Sequence, residues 1–141
     1  MDKRTVSNEV LLEDAARLME EGREVTFRPL GTSMLPFIRG GRDSVRLRKM
    51  PDVKVGDIIL VRLSGPRYVL HRLIEKDGEK LTLMGDGNIR GTEHCTEADV
   101  MGTVTAIEKG RRVVKPGDGR WWRAIPLFFR RYFLAIYRRI I

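Results

Sequence analysis

Three short motifs of this chain carry a serine, a histidine and an aspartate, the side-chain types that together allow a hydroxyl to attack a carbonyl carbon. Ser33 lies in a glycine-led turn at residues 31–36, His71 in the apolar run of residues 68–74, and Asp86 in a Gly-Asp-Gly-Asn sequence. A serine hydroxyl needs a base to accept its proton, and histidine has a pKa suited to that role. A carboxylate can orient the imidazole and stabilise its charged form. Ser33, His71 and Asp86 thus supply all three residue types of acyl-transfer chemistry, each at a strand end or turn where side chains can converge.

Each of these residues also has an ordinary structural interpretation. A serine after a glycine commonly forms a turn, a histidine in a strand is commonly hydrogen-bonded on a sheet face, and an aspartate before Gly-Asn is a common turn former. Taken one at a time, Ser33, His71 and Asp86 do not distinguish an enzyme from a non-catalytic domain. Their order along the chain and the residues around them are more informative.

That order resembles the signal peptidase I and LexA-like serine peptidase superfamily. The matching sequences are Gly-x-Ser-Met-x-Pro at residues 31–36, Val-Gly-Asp-Ile-Ile-Leu-Val at 55–61, Val-Leu-His-Arg-Leu-Ile at 69–74 and Gly-Asp-x-Asn at 85–88. The resemblance covers about residues 25–107. It implies a small coiled β fold, with Ser33 as the nucleophile and His71 as the base. A histidine base is the arrangement of the archaeal and endoplasmic-reticulum type of signal peptidase.

The chain departs from this family in the third catalytic residue. Ser–His signal peptidases have a further aspartate a few residues after the Gly-Asp-x-Asn sequence, whereas residues 89–94 here contain none. Three arrangements therefore stay open. Asp86 orients His71, Glu93 orients it, or the site works as a Ser–His dyad.

The residues around the nucleophile also differ from those of bacterial signal peptidases. Those enzymes carry a hydroxyl two residues before the serine, where this chain has Gly31, as in the LexA-like branch. A glycine leaves the backbone open, so the N–H of Ser33 can face a developing oxyanion. We expect an oxyanion site built from the backbone, with Gly31, Thr32 and Met34 as its supporting residues.

Hydrophobic alternation and turn signals predict a mainly β body with a helix at each end. Ser7 or Asn8 is expected to cap a first helix that ends near Gly22. Strands are predicted at residues 24–29, 44–49, 57–63, 67–75, 80–84, 98–108 and 111–115. Asp77-Gly78 is the strongest hairpin signal among the turns. We expect a coiled, barrel-like β domain with its N-terminal helix over residues 1–115, and a linker with an amphipathic helix over residues 116–141.

The net charge of +8 lies in the last 31 residues. Residues 111–141 contain nine basic residues and one acidic residue, while the first 110 contain 18 of each. The same segment contains seven of the ten aromatic residues, and a helical wheel separates them from most of the arginines. This pattern is typical of a helix in a membrane interface, and also of a helix whose apolar face covers a β sheet. The residues expected to contact an anionic membrane are Trp121, Trp122, Arg123, Arg130 and Arg131.

The leading hypothesis is a serine endopeptidase that cleaves an extended, leader-like peptide. One alternative is a catalytically degenerate module that binds peptide or membrane, and another is a LexA-like dimer that cleaves itself. The neutral body argues against a nucleic-acid partner, and the single cysteine, Cys95, argues against an intramolecular disulfide and a cysteine-based zinc cluster. No metal or other cofactor is expected. No signal peptide and no long apolar run is visible. We therefore expect a cytoplasmic protein at the inner face of the membrane, with its oligomeric state open.

Overall fold

The computed structural model describes residues 4–5, 9–64 and 67–140. The elements in chain order are β1 (Arg4–Thr5), α1 (Glu9–Glu20), β2 (Val25–Arg28), β3 (Ser44–Arg48), β4 (Ile58–Leu63), β5 (Arg67–Asp77), β6 (Lys80–Met84), β7 (Glu93–Thr96), a 3₁₀ turn (Glu97–Asp99), β8 (Val100–Lys109), β9 (Arg112–Val114), α2 (Arg120–Arg123) and α3 (Leu127–Ile140). The predicted class, a mainly β body with a helix near each end, is confirmed. Ser7 and Asn8 lie outside the described residues.

The strands belong to one sheet, in the order β1-β2-β3-β8-β4-β5-β6-β7, with β9 paired to β8. The pairings are antiparallel except between β1 and β2. Within the described residues no ladder joins β7 back to β1, so the sheet is open rather than a closed barrel. The Asp-Gly hairpin is confirmed, because β5 ends at Asp77, β6 begins at Lys80 and Gly78 has a φ of +58°.

Both faces of the central strand β4 are buried. Ile58 and Leu60 pack in one apolar cluster together with α1, while Ile59 and Val61 pack in a second cluster on the other face. Successive side chains of a strand point to opposite faces of the sheet. A strand that is buried on both sides therefore requires packed residues on each face of the sheet. The sheet is therefore coiled around two cores. Strand β5 pairs with β4 in an antiparallel ladder.

The C-terminal segment differs from the linker and single amphipathic helix predicted over residues 116–141. It forms α2 and α3, and Pro126 lies between them. Proline has no N–H to donate and restricts the residue before it, so α2 ends and a new helix begins directly after Pro126. The break allows the two helices to present different faces to the β body.

Candidate active site

The turn that carries Ser33 is held in place by glycines. Gly31 has a φ of +89°, a left-handed conformation that L residues rarely adopt. Gly40 packs so closely that a methyl group on it would overlap the Gly31 carbonyl. Ser33 is half-buried directly after this turn, and the backbone N–H groups of Ser33 and Met34 donate to no described residue. Two such N–H groups beside a serine hydroxyl are suitable donors for an oxyanion.

The expected supporting residues of the oxyanion site have different surroundings. Gly31 and Thr32 are exposed, and the Thr32 carbonyl accepts a hydrogen bond from the Leu35 N–H at 3.2 Å. Met34 is buried in the apolar cluster beneath α1. Thr32 therefore shapes the turn through its backbone, and the Met34 side chain anchors the turn to the core.

His71 is placed by β5, where it pairs with Ile59 of β4. It is only 8% exposed. Its Nδ1 is hydrogen-bonded to the Glu93 carboxylate, which comes from the first residue of β7. Because Nδ1 is engaged by Glu93, Nε2 is the ring nitrogen left to exchange a proton.

Ser33 and His71 line the same cavity, of about 480 Å³, whose walls are mostly apolar. The backbone of Ser33 and the His71 ring also meet at Gly85. A methyl group placed on Gly85 would overlap the Ser33 carbonyl oxygen and lie 3.0 Å from His71 Nε2. Among the described residues no hydrogen bond joins the Ser33 hydroxyl to His71. The two predicted residues thus line one cavity, and no hydrogen bond between hydroxyl and imidazole is formed among the described residues.

Residues 85–88 form a turn that packs behind the Ser33 turn. The Gly87 N–H donates to the Ser33 carbonyl at 2.8 Å, and the Asn88 N–H closes the turn on the Gly85 carbonyl at 3.0 Å. A methyl group on Gly87 would overlap the Thr32 carbonyl. Gly85 and Gly87 are therefore required because the Ser33 turn approaches too closely for a side chain at either position.

Asp86 pairs with Arg72 rather than with the imidazole. Arg72 is fully buried, and its Nη2 and Nε donate to the two carboxylate oxygens at 2.7 and 3.2 Å. Burial raises the pKa of Asp86 above its ordinary value, an effect that the hydrogen bonds and charge of Arg72 oppose. His71 acts on Asp86 only through a weaker electrostatic attraction. Of the two carboxylates considered, Glu93 rather than Asp86 is hydrogen-bonded to His71.

Arg72 also ties the site to the C-terminal segment. Its Nη1 donates to the Gly56 carbonyl at 2.8 Å and to the Gly117 carbonyl at 2.9 Å, and its guanidinium lies 5.0 Å from the centre of the Phe37 ring. Consecutive residues of a strand face opposite sides, which explains why His71 reaches the cavity while Arg72 reaches the linker at Gly117. The His-Arg pair thus serves two separate purposes.

Trp122 was expected to contact a membrane, but it is buried. It packs with Leu35 and Leu134, and its Nε1 donates to the Asp86 carbonyl at 2.7 Å. Arg138 of α3 donates to the Gly87 carbonyl at 2.9 Å. Both helices of the C-terminal segment therefore hold the turn behind Ser33, a role that sequence reasoning missed. The Pro126 break was the signal that one continuous apolar face was not available.

The other expected membrane contacts lie on the outer part of the segment. Trp121 and Arg131 are exposed, while Arg123 and Arg130 are half-buried. Trp121 also contacts the edge of Phe37, with ring centres 5.5 Å apart. Arg123 donates to the Asp118 carbonyl at 2.9 Å. These residues are thus divided between solvent and the linker.

Cys95 and His94 on β7 provide no second reactive centre. Burial raises the pKa of the Cys95 thiol to about 11, so the thiol stays protonated near neutral pH. His94 lies near two threonine hydroxyls, Thr82 at 3.3 Å and Thr92 at 3.4 Å. Within the part of the chain that the structure describes, no group of three or more His, Cys, Asp or Glu residues is arranged to hold a metal ion.

No protein-family model matches the chain, and no curated protein matches it. Among the described helices, none is long and apolar enough to cross a membrane.

Proposed function

We propose that the protein is a serine endopeptidase in which Ser33 attacks a peptide carbonyl and His71 accepts its proton. The observation that carries the proposal is the shared cavity of Ser33 and His71, in which the Glu93 carboxylate on Nδ1 leaves Nε2 available for proton transfer. A buried imidazole, paired with a half-buried carboxylate and next to a half-buried serine, is an arrangement that can activate a hydroxyl.

The reaction follows from these groups. The Ser33 oxygen bonds to the carbonyl carbon as its proton passes to His71 Nε2, and Glu93 stabilises the imidazolium through Nδ1–H. The N–H groups of Ser33 and Met34 are suited to receive the oxyanion. Collapse breaks the C–N bond, and the leaving amine takes the proton from His71. Water then hydrolyses the ester by the same proton transfers in reverse.

The substrate class follows from the edge of β5. The ladder between β5 and β6 begins at Arg72, and Leu70 and His71, which precede it, line the cavity. Pro29 and Leu30 form the opposite wall. An extended peptide added along this edge would place alternate side chains in the apolar cavity and its backbone beside Ser33. We therefore propose an extended peptide with an apolar residue near the cleavage site.

Labelling with a fluorophosphonate tests the proposal directly, because the reagent reacts only with an activated serine. Wild type is expected to be labelled, Ser33→Ala to give no label, and His71→Ala to react 10²–10⁴-fold more slowly. Glu93→Gln is expected to lose about as much, because the amide no longer stabilises the imidazolium. Ser64→Ala and His94→Ala are the matched controls, since Ser64 is exposed and both lie outside the cavity. Label that survives Ser33→Ala would refute the assignment of the nucleophile.

A second candidate is a module that binds an extended peptide without cleaving it. It is favoured by the absence of a hydrogen bond between the Ser33 hydroxyl and His71 among the described residues. This candidate predicts that folded wild type takes up no label while Leu70→Asp still weakens the binding of apolar peptides. Catalytic geometry that tightens only on substrate binding predicts label in the wild type instead.

A further inference from the structure

The two faces of α3 have different surroundings. Leu134, which is 2% exposed, packs against the β body, and Arg138 donates to the Gly87 carbonyl. The opposite side carries large apolar residues in solvent, and the most open are Phe128 and Ile140, both 74% exposed. We call this side the aromatic face; it consists of Phe128, Phe129, Tyr132, Phe133, Ile136 and Ile140. A contiguous exposed apolar surface of this kind marks an interaction site.

The charge around the aromatic face restricts the kind of partner. Residues 111–141 contain nine basic residues and one acidic residue, Asp118, while the rest of the chain is neutral. Arg131 and Arg139 are exposed on α3 itself. A second copy docked through this face would bring two strongly basic segments together, which costs electrostatic energy. An anionic partner with an apolar interior meets both the charge and the apolar surface.

We infer that α3 docks on an anionic lipid surface through the aromatic face, with the exposed Arg131 and Arg139 at the headgroups. The helix has 14 residues, or roughly 21 Å of length, which suits a position in the plane of the interface. Docking uses the side opposite to Leu134 and Arg138, so the helix can enter the interface without releasing the turn behind Ser33. The cavity would then be held at a fixed distance from the membrane.

Sedimentation with vesicles measures this docking without any catalytic readout. The full chain is expected to bind phosphatidylcholine vesicles containing 30% phosphatidylglycerol, to bind pure phosphatidylcholine at least tenfold more weakly, and to lose affinity in 1 M NaCl. Phe128→Ser and Ile140→Ser are each expected to lower the partition coefficient about tenfold. Val113→Ser is the control, since Val113 is also an exposed apolar residue but lies on β9.

The electrostatic contribution is tested separately. Arg131→Glu is expected to reduce binding to anionic vesicles by about tenfold or more and to leave the weak binding to neutral vesicles unchanged. Lys54→Glu, an equal change of charge at an exposed position of the body, is expected to have little effect.

Three results would overturn the inference. The first is folded protein that stays in the supernatant with anionic vesicles. The second is a dimer that Phe128→Ser converts to a monomer, which assigns the aromatic face to a second copy. The third is tight binding to single-stranded nucleic acid in place of vesicles. The Ser33→Ala variant is expected to bind vesicles like wild type, so failure of docking and failure of the peptidase proposal are separately observable.

Discussion

Replacement of Asp86 by asparagine separates a structural carboxylate from a catalytic one. Asp86 is 4% exposed, and the guanidinium of Arg72 is fully buried. Among the described residues, Asp86 supplies the only negative charge that bonds to Arg72. Asparagine keeps the shape but removes the charge, so the guanidinium stays buried without its counterion. The structure therefore predicts that Asp86→Asn acts first on folding and only indirectly on the Ser33–His71 site.

The size of the effect follows from the burial of the pair. Breaking a buried ion pair by removing one partner costs about 3–5 kcal/mol. Because the amide oxygen still accepts one hydrogen bond and Arg72 keeps the Gly56 and Gly117 carbonyls, we expect the lower end, about 3 kcal/mol. With an m value of about 2 kcal/mol/M, the urea midpoint falls by roughly 1.5 M.

Urea denaturation followed by tryptophan fluorescence measures this change, because Trp122 is bonded to the Asp86 carbonyl. Asp52→Asn is the matched control, since Asp52 pairs with Lys76 at the surface, and its midpoint should equal that of wild type. Glu93→Gln should shift the midpoint less than Asp86→Asn but slow fluorophosphonate labelling more. An Asp86→Asn protein as stable as wild type that fails to label would refute the reasoning and make Asp86 the orienting carboxylate.

Three further predictions concern Gly85 in the site, Leu134 in the C-terminal helix and Cys95 on β7. Gly85→Ala is expected to slow labelling at least tenfold, because the methyl group overlaps the Ser33 carbonyl and crowds the imidazole, and a wild-type labelling rate would contradict this placement. Leu134→Ala is expected to lower the free energy of unfolding by about 3 kcal/mol in urea titration, whereas Ala135→Ser, at an exposed position, should not; equal midpoints would show that α3 does not pack on the body. Burial raises the pKa of the Cys95 thiol to about 11, so iodoacetamide should modify the native protein slowly up to pH 9.5 and faster towards pH 11, and rapid reaction at pH 8 would count against it. Since the folded state disfavours the thiolate, this group removes stability as pH rises from about 9 to 11.

Local pattern was sufficient for most of the sheet. The strands from β2 to β6 alternate or bury apolar residues in runs that the sequence displays directly, and the Asp77-Gly78 turn sets the register of one hairpin. β7, at Glu93–Thr96, was missed because it is an edge strand in which no side chain is fully buried. An edge strand is held by its backbone hydrogen bonds, so its sequence needs no apolar alternation.

Which carboxylate is hydrogen-bonded to His71 was decided by the tertiary structure. Asp86 and Glu93 both follow His71 in the sequence, and their spacing from His71 does not indicate which of them contacts the imidazole. Pairing of β7 with β6 places Glu93 opposite Leu83, while Asp86 satisfies the buried Arg72. Whether Asp86 or Glu93 bonds to His71 therefore depends on the burial of Arg72 beside Asp86. Burial is a property of the packed fold.

The C-terminal segment shows the same division between sequence and fold. Its basic charge, its aromatic content and its helical period are visible in residues 111–141 alone. Which aromatic residues point inward is not visible there, because Pro126 separates two helices whose orientations are set by contacts with the Asp86–Gly87 turn. Trp122 is inside and Phe128 outside for that reason. Sequence thus determined the amphipathic character, and only packing against the body determined which apolar surface is left for a partner.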